Sequence, residues 1–110
     1  MRRAHKYGAE RTRASNGVMC ASKKEANRYS ELLLLERAGQ IKDLKWQVKM
    51  PVVIEHQVVL TYVADAVYWD LIKPDVPSLV IEDVKGYKTP EYRIKKRCVE
   101  AYYRCKIRET

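Results

Sequence analysis

The chain has 110 residues and a formal net charge of +8, with 46% hydrophobic and 33% charged residues. That length supports one domain, residues 1–110, around a single core, and the composition is that of a globular rather than a disordered chain. No apolar run approaches the ~20 residues of a membrane span, and the basic N-terminus lacks the apolar stretch of a signal peptide. The expectation is a cytoplasmic protein with no membrane partner.

Three cysteines, Cys20, Cys98 and Cys105, are odd in number and lack CxxC spacing, which favours buried free thiols over a disulfide framework or a zinc site. The charge is unevenly spread. Residues 1–24 carry seven Lys/Arg against one acid and residues 88–108 carry eight against two, while the remainder carries seven against eleven. Basic ends around an acidic middle suit a protein that grips a polyanion and holds metal-binding acids at its centre. A solubilising surface with a loose basic tail is the plainer alternative.

In chain order, MRRAHKYG forms a basic, mobile segment at 1–8 suited to phosphate contacts that carry no sequence information; His5 reads as a surface residue. Asn16-Gly17, between a polar and an apolar stretch, predicts a short hairpin. Ser22-Lys23-Lys24-Glu25 is a capping box, opening a helix that runs to about Ala38 and stops at Gly39. Ala26, Tyr29, Leu32 and Leu33 give that helix a packing face, and Glu31 and Glu36 read as solvated. Alternation from Ile41 to Met50 predicts a first strand, with Pro51 marking a bend. Val52–Ile54 and Val58–Leu60 then flank a turn at Glu55-His56-Gln57.

Two further strands, Tyr62–Trp69 and Leu79–Lys85, flank a loop stiffened by Pro74 and Pro77. Period-2 alternation puts Ile81, Asp83 and Lys85 on one face of the second strand and Val80, Glu82 and Val84 on the other. If the strands pair, Asp65 can face Asp83. Two such acids repel, and burial favours their neutral forms; a hard cation such as Mg²⁺ removes that cost. Lys85 would then orient or deprotonate a water, or stabilise transition-state charge. An Asp83–Lys85 ion pair, with Asp65 an ordinary turn acid, fits the spacing equally well. Thr89-Pro90 starts a second helix to about Arg104, with Tyr92, Ile94, Cys98, Val99, Ala101 and Tyr102 as its packing side, and residues 105–108 add a short last strand. Lys23, Lys24, Lys88, Arg93, Lys95 and Lys96 are the candidate phosphate contacts, with Lys88 nearest the reacting phosphate.

Asp65, seventeen intervening residues, and then Asp83-Val84-Lys85 resemble the PD-(D/E)XK nuclease signature, with Ala64 where the proline would stand. SKKEANRY, LKWQ, YVAD and IEDVKG, in this order over about residues 5–105, resemble a family of small phage and prophage proteins in that superfamily, related to Holliday-junction-resolvase-type nucleases. The resemblance implies an α/β, restriction-endonuclease-like core: a helix, a three-stranded mostly antiparallel sheet, a helix and a short strand. It implies a Mg²⁺-dependent DNA endonuclease, with Mn²⁺ substituting, acting on branched or recombination-intermediate DNA in a bacterial host. Asp65 and Asp83 would bind metal, the first-helix Glu25 would complete the site, the Val84 carbonyl could add a ligand and Lys85 would act on the water. Gln47, where the pattern has a glutamine, would touch the water or a phosphate, although a sheet-edge hydrogen bond explains it as well. A homodimer is expected from junction resolution; no sequence feature marks its surface, although Trp46, Trp69 and Leu32–Leu35 hold more apolar area than one core of this size needs. The alternative is a non-catalytic nucleic-acid-binding module of the same fold.

Overall fold

The structure, a computed structural model, describes residues 10–72, 75–84 and 88–110. The expectations for segment 1–8 with His5, for Pro74 and for Lys85 lie outside the described residues.

A short antiparallel hairpin, β1 (Thr12–Arg13) and β2 (Met19–Cys20), comes first. Its turn carries Gly17 at φ 87°, backbone that glycine adopts without strain. Helix α1 (Lys23–Arg37) follows, opened by Ser22, whose Oγ accepts the Glu25 N–H at 3.1 Å. Next come β3 (Ile41–Ile54), β4 (Gln57–Asp70) and β5 (Ser78–Asp83), then α2 (Pro90–Tyr103) and β6 (Ile107–Glu109). The main sheet has the order β3-β4-β5-β6, antiparallel except for the parallel β5–β6 pair. Helix α2 is the crossover that such a parallel pair requires. The chain is thus mixed α/β, with two helices and a mostly antiparallel sheet.

Pro51 does not bend the first strand. β3 continues through it to Ile54, with Pro51 opposite Thr61. β3 is an edge strand, so a missing N–H on its outer side breaks no ladder bond. The expected strand, bend and hairpin are therefore one long hairpin, closed by Glu55 and His56 at φ 51° and 67° between the paired Ile54 and Gln57. Two consecutive positive φ values give the primed turn whose twist matches the flanking strands.

The packing face of α1 is carried by buried Ala26 and Leu32, with Leu35 half-buried against β3–β5 and Tyr29 against Trp46. Glu36 is not merely solvated: its Oε2 accepts the Leu44 N–H at 3.0 Å, where β3 slips register and Asp43 sits at φ 57°. On α2 only Tyr92 and Val99 are buried. Ile94, Ala101 and Tyr102 face solvent instead of the core, because the helix touches the sheet along a stripe one residue wide per turn. At β5 the helices cover opposite faces. Val80 packs with Leu32 of α1, and Ile81 with Tyr92 and Val99 of α2. Burial of both faces explains why residues 80–83 are buried without alternation. Among the described residues no helix is long and apolar enough to cross a membrane.

Candidate functional site

The β4–β5 ladder is printed in the sequence as apolar residues ending in acids, and its last pair is Ala66 opposite Glu82. One step further along the same register sets Asp65 against Asp83. Asp65 is 8% exposed and Asp83 fully buried. Asp83 lies close enough for its carboxyl group to raise the proton affinity of Asp65. Asp65 Oδ2 accepts the Val84 N–H at 2.7 Å, and its Oδ1 accepts from Gln47 Nε2 at 3.0 Å. Asp83 Oδ2 accepts from the Tyr62 hydroxyl. Burial first, then the hydrogen bond and negative charge of Asp83, push the Asp65 pKa up to about 7, although the Val84 amide pulls the other way. Asp65 therefore exchanges its proton near neutrality.

Gln47 earns its place through backbone strain. It lies on β3 between Trp46, paired with Ala66, and Val48, paired with Ala64, and its φ is 60°. Left-handed backbone at a non-glycine residue costs of order 1 kcal/mol or more and persists only where surrounding contacts impose it. From that backbone the Gln47 side-chain amide reaches Asp65.

The other expected site residues are placed as follows. Glu25 stands at the start of α1, and its charge contributes to raising the Asp65 pKa, so it faces the pair electrostatically. It does not join the pair in a ligand cluster: among the described residues no three His, Cys, Asp or Glu side chains form a group that could hold a metal ion. Val84 is buried at the end of β5. Lys23 and Lys24 are exposed in the first turn of α1, and Arg93 and Lys95 are exposed on α2. Lys88 and Lys96 are drawn together by Glu109, at 3.0 and 3.6 Å from its carboxylate. Tyr92 also donates to Glu109 at 2.8 Å, and Tyr92 and Lys88 hold that carboxyl below the usual range.

A comparison of the whole chain with protein-family models gives a match over residues 4–109, to the family described as protein of unknown function (DUF1064). The chain belongs to the DUF1064 family. No curated protein and no solved structure matches it.

Two groups around this DUF1064 site escaped the sequence reading. Tyr62 was legible only as a strand aromatic, yet its hydroxyl is the buried donor to Asp83, and burial followed by that bond raises its own pKa. Glu82, on the opposite face of β5, is fully buried and gripped by Arg28 at 2.6 and 3.0 Å, with the Tyr68 hydroxyl donating at 2.7 Å. Burial alone would raise the Glu82 pKa, but Arg28 and Tyr68 outweigh it and hold the carboxyl low. The signal for this network was Glu82 itself, an acid in the apolar strand LVIED, whose partner lies 54 residues away. The apolar area that looked more than one core needs is mostly buried or half-buried within the chain. Leu32 is fully buried, Leu33, Leu35, Trp46 and Trp69 are half-buried, and only Leu34 is largely exposed.

Proposed function

We propose that the chain is a metal-dependent DNA endonuclease on a restriction-endonuclease-like core, with Asp65 and Asp83 at its centre. The observation that carries this reading is the pair of buried carboxyl groups in mutual contact, with Asp65 poised to lose its proton near pH 7. Two acids are costly to keep side by side in a core. Perturbed acids in that position are a hallmark of functional sites, and an oxygen-only donor set suits Mg²⁺ or Mn²⁺.

Asp65 and Asp83 would hold the ion, with the Val84 carbonyl as a further oxygen donor and Glu25 acting through its charge. Bound there, a divalent cation supplies a lowered pKa for water and charge neutralisation at the phosphate. The protein's own groups do the rest. Gln47 and the Val84 amide fix the Asp65 carboxyl, and Tyr62 fixes that of Asp83. Lys85, two residues beyond Asp83, would act on the water or on transition-state charge. Lys23, Lys24, Lys88, Arg93, Lys95 and Lys96 would hold the backbone through phosphate contacts. Branched DNA as the substrate, and a homodimer making paired incisions, complete the reading.

One observation favours the non-catalytic alternative: the two acids already accept hydrogen bonds from within the chain, Asp65 from Gln47 and the Val84 amide and Asp83 from Tyr62. The two readings part in a cleavage assay. A labelled four-way junction, a matched duplex and a single strand are incubated with Mg²⁺, Mn²⁺ or EDTA, using the wild type, Asp83→Asn and Lys85→Ala. Metal-dependent cutting that both substitutions abolish is the expected result. Equal DNA binding by all three proteins without any cutting would leave only the binding module.

A further inference from the structure

An open pocket of about 380 Å³ lies between the β1–β2 hairpin, the start of α1 and β3. Its volume is within the range of small-molecule sites, about 300–1,000 Å³. Gln47, the residue bonded to Asp65, forms one wall, so the pocket adjoins the acid pair. Trp46 forms another. Tyr29, from outside the pocket, stacks on that indole at 4.2 Å and 6° and so fixes its plane. The hairpin wall is tied down in turn, because Asn16 Nδ2 donates to the Tyr29 hydroxyl at 3.2 Å and the Ser15 N–H donates to Ser30 Oγ at 2.9 Å. Met19, Cys20 and Ala21 supply apolar and thiol surface, Glu25 adds a carboxyl group from the start of α1, and Arg11 stands exposed at the rim.

A fixed indole and an apolar wall match a heteroaromatic ring, the Glu25 carboxyl group can accept from an exocyclic amino group of that ring, and the guanidinium at the mouth matches a phosphate linked to it. Stacking on an aromatic side chain is tolerant of base identity, and arginine contacts the backbone or the ring face. We propose that this pocket receives one unpaired nucleobase of the nucleic acid whose backbone lies over Asp65 and Asp83. The proposal rests on the nuclease reading above and deepens it, for it names what makes branched DNA the better substrate. An unpaired base enters at little cost, whereas a paired one must first be pulled from its stack.

The test is fluorescence anisotropy in EDTA with three labelled DNAs: a duplex with one bulged nucleotide, the same duplex with an abasic bulge, and the fully paired duplex. The wild type should bind the base-bearing bulge roughly tenfold more tightly than the abasic one, the order of loss seen when an aromatic stacking partner is removed. Ala21→Phe, from an exposed position on the pocket wall, should bring the ratio to about one. Met19→Trp, at a position 40% exposed, fills the same space from β2 and serves if the first variant loses its circular-dichroism spectrum. Equal affinity of the wild type for both bulges, with duplex binding intact, overturns the pocket and leaves the nuclease reading standing. A tenfold ratio that persists in a folded, pocket-filled variant overturns it too. Absence of binding to all three DNAs sinks the nuclease reading and the pocket with it.

Discussion

At the scale of single residues, Asp65 links stability to pH. Its carboxyl titrates near 7 in the folded chain and near 3.8 unfolded, so between those values the folded state binds more protons. Stability from this group is therefore present at low pH and is lost as pH rises through 7, by up to about 4 kcal/mol. In EDTA the melting temperature should fall between pH 5.5 and pH 8. Asp65→Asn should flatten that fall, and Mg²⁺ should raise the wild-type melting temperature more at pH 8 than at pH 5.5. A wild-type melting temperature that rises over this interval in EDTA would show that Asp65 is not held protonated. Gln47 offers a second test. Gln47→Ala keeps the left-handed backbone and loses the bond to Asp65, so it should cost on the order of 1–2 kcal/mol in urea denaturation. Gln47→Gly should recover part of that cost by removing the strain, whereas equal losses would assign no strain to the position.

At the scale of elements, what could be read from the chain was whatever depends on near neighbours. The Ser22 and Thr89 caps, the Asn16-Gly17 hairpin and both helices follow from spacing of a few residues, and each is present; the facing of Asp65 and Asp83 hung on the pairing of their two strands, which the β4–β5 register supplies. What depended on sheet position was not legible. Pro51 is tolerated because β3 is an edge strand, and Ile94, Ala101 and Tyr102 are exposed because α2 meets the sheet narrowly. The Arg28–Glu82 pair was hidden for the same reason, since it joins α1 to β5 across the fold. That pair carries its own prediction. Arg28→Ala leaves Glu82 charged and buried, and should cost about 3–5 kcal/mol, read as a large shift in the denaturation midpoint. Arg28→Met with Glu82→Gln should cost clearly less, because no charge is then buried alone. Equal losses in the two proteins would mean that packing, not charge, holds α1 to β5.

For the molecule as a whole, the question is which cations are available to a polyanion. Arg93 and Lys95 project from α2 into solvent, while Lys88 and Lys96 converge on Glu109, whose carboxylate stands to them as a phosphate oxygen would. Tyr92 and Lys88 keep that carboxyl ionised well below neutral pH, so the internal anion is present under all working conditions. DNA must displace it to use these two lysines. Removing its charge with Glu109→Gln should raise affinity several-fold at low salt. It should also steepen the dependence of log K on log salt, since each phosphate newly neutralised adds about 0.9 to the slope. Arg93→Ala and Lys95→Ala should each flatten the slope by about one, alike for duplex and junction, because contacts to the backbone carry no sequence. Anisotropy titrations across a range of salt concentrations read all four proteins on one scale. A Glu109→Gln slope equal to that of the wild type would mean that Lys88 and Lys96 lie off the path of the nucleic acid. On α2 the phosphate track would then run along Arg93 and Lys95.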